Sequence, residues 1–208
     1  MRKPNLTLAS SRSLRLGPSG SDAATDEEHV SLTHNRSVAL YFGESLLLLG
    51  EVESGKTLID YDAGIEVFVR VDDEVELWNG ALLSVAGRWF CYWDSQPNQP
   101  ARLQMLGEDG RPVVVVTLRN GSLGVGGERG DLMLPGEPEV EVLHFMLLRC
   151  GGRTFLRNLA NDQRPWVIVP RGTRVSVEST LAVGDRLLYL DAPGSVSPSV
   201  LSPAPVAV

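Results

Sequence analysis

The sequence predicts an all-β fold, on three observations. Glycine (21) and proline (13) are frequent while aromatic residues make up 6%, a balance that suits many short strands joined by turns. Ile65, Val67, Val69 and Val71 alternate with Glu66, Phe68 and Arg70, which is the period of a strand. No run of ten residues carries a helical stripe, so helices have no pattern to grow from.

The β-type runs follow one another between turn signals. A first set covers Ser37–Tyr41, Ser45–Leu49, Thr57–Tyr61, Ile65–Val71, Glu74–Trp78, Ala81–Val85 and Trp89–Trp93. A second covers Leu103–Leu106, Val113–Leu118, Leu132–Leu134, Val140–Leu148, Thr154–Leu159, Trp166–Val169, Arg174–Val177 and Arg186–Leu190. Asp109-Gly110, Asn120-Gly121, Gly151-Gly152 and Gly184-Asp185 lie between runs, and each supplies a residue that tolerates positive φ.

The two sets look like one unit used twice. Glu74-Val-Glu-Leu77 and Glu139-Val-Glu-Val142 stand 65 residues apart, and Leu82-Leu83, Gly87-Arg88 and Phe90 fall in register with Leu147-Leu148, Gly152-Arg153 and Phe155. A fixed period implies a repeated supersecondary unit. The expected organisation is a flexible arm over 1–35, a β-rich unit over 36–100, a second over 101–192, and a Pro/Ser-rich tail over 193–208. The arm has a basic tip (Arg2, Lys3, Arg12, Arg15) before its acids begin at Asp22, and the prolines of the tail keep it out of a sheet interior.

Composition narrows the function classes. The formal charge of −7, with Lys3 and Lys56 the only lysines, disfavours nucleic acid, whose backbone is bound by clustered Lys and Arg. Cys91 and Cys150 sit in strand-like runs and read as reduced core thiols. There is neither an apolar run of about 18 residues nor a charged-then-apolar leader, so no membrane insertion is expected and the cytoplasm is the expected compartment.

Residues 113–190 carry an ordered set of family features. Leu123-Gly-Val-Gly-Gly-Glu-Arg-Gly-Asp131-Leu-Met-Leu134-Pro135 is followed by His144, by Gly152-Arg153-Thr-Phe-Leu-Arg-Asn158-Leu159, and by Leu181-Ala-Val-Gly184-Asp185-Arg186. In this order the pieces resemble a forkhead-associated (FHA) domain, a β-sandwich that commonly binds phosphothreonine peptides. The resemblance implies a phosphate site drawn from Arg129, His144, Asn158 and Asn161. Two positions depart from the family: Gly127 stands where an Arg is usual, and Glu141 where a Ser is usual. A carboxylate facing a dianionic phosphate repels it by on the order of 1 kcal/mol or more in a partly solvated site, so the resemblance implies a degenerate site.

A competing string is Gly50-Glu-Val-Glu-Ser-Gly55-Lys56-Thr57, which matches the phosphate-cradling P-loop. Such a loop must open a helix, whereas Thr57–Gly64 reads as β-type, and Glu51 and Glu53 would face the anion. A hairpin turn at Ser54-Gly55 fits better. His29, His34 and His144 lack metal-ligand spacing, and Asp60, Asp62, Asp72, Asp73 and Glu74 lack the glycine and glutamate of a calcium loop. Trp78, Trp89, Trp93 and Trp166 read as core or interface, with Trp89 and Trp93 a binding hot spot if exposed.

The expected function is therefore non-enzymatic: a protein–protein interaction or structural scaffold module in a larger bacterial or viral assembly, with no cofactor. A phosphothreonine reader and a nucleotide-binding protein are the alternatives.

Overall fold

The computed structural model describes residues 27–34, 36–94 and 99–194. Among them the chain has no helix and forms strands joined by turns. The first are β1 (Glu28–Ser31), β2 (Val38–Phe42), β3 (Ser45–Leu49), β4 (Lys56–Tyr61), β5 (Val67–Arg70), β6 (Glu74–Leu77), β7 (Leu82–Val85), β8 (Arg88–Trp93) and β9 (Arg102–Leu106). The rest are β10 (Pro112–Thr117), β11 (Ser122–Gly126), β12 (Leu132–Met133), β13 (Phe145–Cys150), β14 (Arg153–Asn158), β15 (Trp166–Ile168), β16 (Thr173–Ser176), β17 (Thr180–Val183) and β18 (Arg186–Asp191). The all-β expectation holds.

Three sheets result. A nine-stranded sheet runs β1-β18-β17-β5-β15-β7-β8-β9-β10, a five-stranded sheet β12-β11-β13-β14-β6, and a four-stranded sheet β16-β4-β3-β2. Each sheet contains strands from both the 36–100 and the 101–192 segments. β5 lies between β15 and β17, β6 pairs with β14, and β4 with β16. One continuous core joins the sheets and includes Leu47, Leu49 and Ile59 of the smallest, Leu123, Leu147 and Leu156 of the second, and Val67, Leu83 and Leu103 of the largest. Phe90 meets Phe145 edge-on with ring centroids 6.0 Å apart, and the Tyr92 hydroxyl donates to Thr154 Oγ1 at 2.7 Å, so β8 is fixed to the five-stranded sheet by a ring contact and a buried hydrogen bond.

Two hairpins stand 65 residues apart with the same register. β7 and β8 pair Leu82 with Cys91, Leu83 with Phe90, Ser84 with Trp89 and Val85 with Arg88. β13 and β14 pair Leu147 with Leu156, Leu148 with Phe155, Arg149 with Thr154 and Cys150 with Arg153, the same positions 65 residues on. Both turns have two residues at positive φ, Ala86 (46°) and Gly87 (72°) in one, Gly151 (58°) and Gly152 (79°) in the other, as a two-residue turn matched to strand twist requires. The faces differ, however. Leu83 and Phe90 are buried in the first hairpin, but their counterparts Leu148 and Phe155 are half-exposed while Leu147 and Leu156 are buried. The first tetrapeptide forms β6, whereas 140–142 are loop.

β6 lies instead against the second hairpin, where Glu74 pairs with Arg157 and Glu76 with Arg153. Strand β1 falls within the stretch expected to be a flexible arm; Val30 and Leu32 alternate into the core, a pattern too short to stand out in the sequence. Residues 1–26 and 195–208 lie outside the described residues. No helix among those described is long and apolar enough to cross a membrane.

Candidate functional site

The positions singled out by the FHA resemblance lie after β11, before β13 and at and after the end of β14. β11 ends at Gly126, and a backbone amide follows at each of Gly127, donating to Glu141 O at 2.8 Å, and Arg129, donating to Val142 O at 2.9 Å. This close approach explains the glycines. A Cβ on Gly127 would lie 2.8 Å from Val140 O, closer than any real Cβ contact, so the Arg usual at this position in the family has no room here.

Glu141 is turned into the loops. Its Oε1 accepts the backbone N–H of Asn161 at 2.6 Å and that of Asp162 at 3.4 Å. His144, fully buried, stitches the same two segments: its Nδ1 accepts the Glu141 N–H at 3.2 Å, and its Nε2 bonds Gln163 O at 2.8 Å. Those partners fix the neutral tautomer with the proton on Nε2. Burial lowers the His144 pKa, opposed by the Gln163 carbonyl and the Glu141 charge. Gln163 itself stands at φ 47°, a left-handed conformation held by this bond.

The other two candidates part company. Asn158 is directed to Ala160, whose N–H donates to its Oδ1 at 3.0 Å, and to Asp72 O, which accepts from its Nδ2 at 3.3 Å. Asn161 takes part through its backbone. Arg129 is exposed and makes no ion pair among the described residues. Around these groups Val142 is 45% exposed, Leu159 40% and Met133 58%. Met133, in β12, pairs with Gly126, and the Leu159 N–H donates to His144 O at 2.9 Å, so the three flank these loops.

Sequence reasoning placed Glu141 at the site as a source of repulsion and missed it as a ligand. The amides it accepts from belong to the backbone, which leaves no residue-type signal.

The P-loop string is a hairpin. Ser54 (φ 53°) and Gly55 (φ 72°) form the turn, Glu53 and Lys56 exchange backbone hydrogen bonds of 2.8 and 3.0 Å, and Lys56 opens strand β4 where a phosphate loop opens a helix. Thr57 is fully buried and its hydroxyl donates to Gly50 O at 2.7 Å. Gly50, Gly55, Lys56 and Thr57 thus serve the β3–β4 connection. The described residues contain no group of three or more His, Cys, Asp or Glu able to hold a metal. Trp89 is half-buried and lies 5.7 Å from Phe68 between ring centroids. Trp93 is also half-buried and lines a shallow surface cavity with Pro100, Arg102 and Gln104.

No family model, curated protein or solved structure matches this chain.

Proposed function

We propose that the chain is a non-enzymatic protein-binding or scaffold module of a larger assembly, on an FHA-like framework whose phosphate pocket is filled from within. The observation that carries this reading is the Glu141 carboxylate on the amides of Asn161 and Asp162, where an incoming anion would need those donors. What the loops offer to a partner is apolar: Val142, Leu159 and Met133 are exposed around them. Large exposed apolar side chains grouped on loops suit protein contact better than chemistry on a small molecule.

The test is capture of partners from native lysate with the chain as bait, with and without phosphatase treatment, beside a Val142→Asp variant. The expected result is the same partner in both lysates and its loss with Val142→Asp. Loss after phosphatase, restored by no apolar change and abolished by Arg129→Ala, would make the chain a phosphopeptide reader instead.

A further inference from the structure

The apolar side chains beside the loops stand in a charged frame. Val142, Leu159 and Met133 are 45%, 40% and 58% exposed, and the backbone ties carboxylates to the same place. The Glu128 N–H donates to Val142 O at 3.3 Å, the Asp162 N–H donates to the Glu141 carboxylate at 3.4 Å, and Glu139 adjoins the buried Val140 just ahead of Val142. Glu128, Glu139 and Asp162 are exposed. Together with Asp131 and Glu141 they face a single guanidinium, Arg129, in segments 127–144 and 159–163. Glu137, the remaining acid there, is bound to Arg88.

The arginines that follow these loops in the chain are held by carboxylates from elsewhere in the fold. Arg149 donates to Asp94 at 3.1 Å, Arg153 and Arg157 meet Glu76 and Glu74 of β6, and Arg164 meets Asp72. Their charge is matched where it stands, so the field over Val142 and Leu159 is set by the acids of the loops.

We infer that the partner meets these loops with a basic segment bearing apolar side chains: Lys or Arg opposite Glu128, Glu139 and Asp162, and apolar groups on Val142, Leu159 and Met133. The inference rests on the reading of the loops as a protein contact and names the chemistry of what they contact. Complementary charge on the rim steers encounter and selects among partners, while a buried apolar centre holds the complex. The same field opposes anionic partners. A phosphopeptide, a nucleic acid or an anionic lipid surface would bring its negative charge against these acids.

The test is a fluorescence-anisotropy titration of the full chain with four labelled peptides of equal length, alternating Lys with Leu, Gln with Leu, Glu with Leu, and Lys with Ser. At about 0.1 M salt, where charges act over about 10 Å, the Lys/Leu peptide is expected to bind about tenfold or more tighter than each of the others. Its lead over the Gln/Leu peptide should vanish at about 1 M salt. It should vanish too in the triple variant Glu128→Gln, Glu139→Gln, Asp162→Asn, which keeps the Asp131 and Glu141 carboxylates on their backbone amides. Val142→Ser with Leu159→Ser should weaken both of these peptides, melting temperature reporting that each variant stays folded. Equal binding of the Lys/Leu and Glu/Leu peptides, no binding by any of the four, or Lys/Leu binding untouched by the triple variant overturns the inference. If the Lys/Leu and Gln/Leu peptides bind alike and both are lost with Val142→Ser and Leu159→Ser, the protein-contact reading stands without a basic partner; if those two changes leave all binding as it was, that reading falls as well. Tighter Lys/Leu binding after Arg2, Lys3, Arg12 and Arg15 are all changed to Gln would make this chain's own cations the occupant and overturn a separate partner. A concentration-dependent dimer abolished by Val142→Ser would do the same in favour of a second copy.

Discussion

The carboxylate of Glu141 lies 2.6 Å from the backbone nitrogen of Asn161, tying the loop before β13 to the loop after β14 through a charge-assisted hydrogen bond. Hydrogen bonds to charged groups contribute about 1.5–3 kcal/mol, less where the group is partly solvated, as Glu141 is. Glu141→Ala is expected to lower unfolding free energy by about 1–2 kcal/mol in urea titration, and Glu141→Gln by less. Neither change should create binding to a phosphothreonine peptide, because the space beside Gly127 still admits no cation; tight binding by Glu141→Ala in a titration would show that the carboxylate alone blocks the site.

Because the His144 pKa is lowered by burial, stability should fall with acidification. Above the ordinary histidine value of 6.5 the ring is neutral folded and unfolded, and its contribution is complete. As pH falls through that value the unfolded chain takes up a proton that the folded chain resists, so stability is lost between 6.5 and the depressed folded value. Protonating Nδ1 would also abolish its role as acceptor for the Glu141 N–H. Melting temperature measured between pH 7 and 5.5 should decline in the wild type and decline less in His144→Gln, with His29 and His34 common to both proteins.

Tyr92 and Thr154 form a polar pair inside the core, at 1% and 2% exposure. No buried side-chain nitrogen or oxygen among the described residues lacks a partner, and Tyr92→Phe would leave the Thr154 hydroxyl without this donor. An unsatisfied buried group costs about 1–3 kcal/mol, and the double change Tyr92→Phe with Thr154→Val should recover part of that loss in a thermodynamic cycle. Additive losses would mean that the pair contributes no coupling.

The two cysteines should differ sharply in reactivity. Burial pushes the Cys91 thiol up to about 11, which suppresses the reactive thiolate, while Cys150 is exposed at the end of β13. A thiol reagent at neutral pH is expected to modify one cysteine in the native protein and both in denaturant, with Cys150→Ser removing the native reaction. Reading both as core thiols was correct for Cys91 and not for Cys150, because strand alternation puts Cys150 on the face of Met146 and Leu148, opposite the buried Phe145 and Leu147.

Much of the strand pattern was legible. Ser45–Leu49 matches β3 at both ends, and the Gly151-Gly152 turn joins β13 to β14 as its chemistry demands. The expected run from Val140 begins as a strand only at Phe145, since Glu141 and His144 hold the preceding residues in the loop through side-chain bonds that no periodicity encodes. Ala86 was invisible as a turn residue because alanine seldom takes positive φ; the register of its hairpin enforces it. Which side of a hairpin faces the core depends on what packs against it, so the 65-residue register fixed the pairing within each hairpin but not the buried face.

The interleaving of β5 between β15 and β17 sets a timing problem for a chain emerging from a ribosome. Val67 and Val69, buried in the finished sheet, must wait for partners made about 100 residues later, roughly 5–20 s at ordinary elongation rates. During that interval β2–β3–β4 and β7–β8 can close as local hairpins, but β4, β5, β6 and β7 each still lack a neighbour. Synthesis order and assembly order therefore differ, and a pause downstream of residue 100 prolongs the exposure of unpaired apolar edges that invite association with other nascent chains.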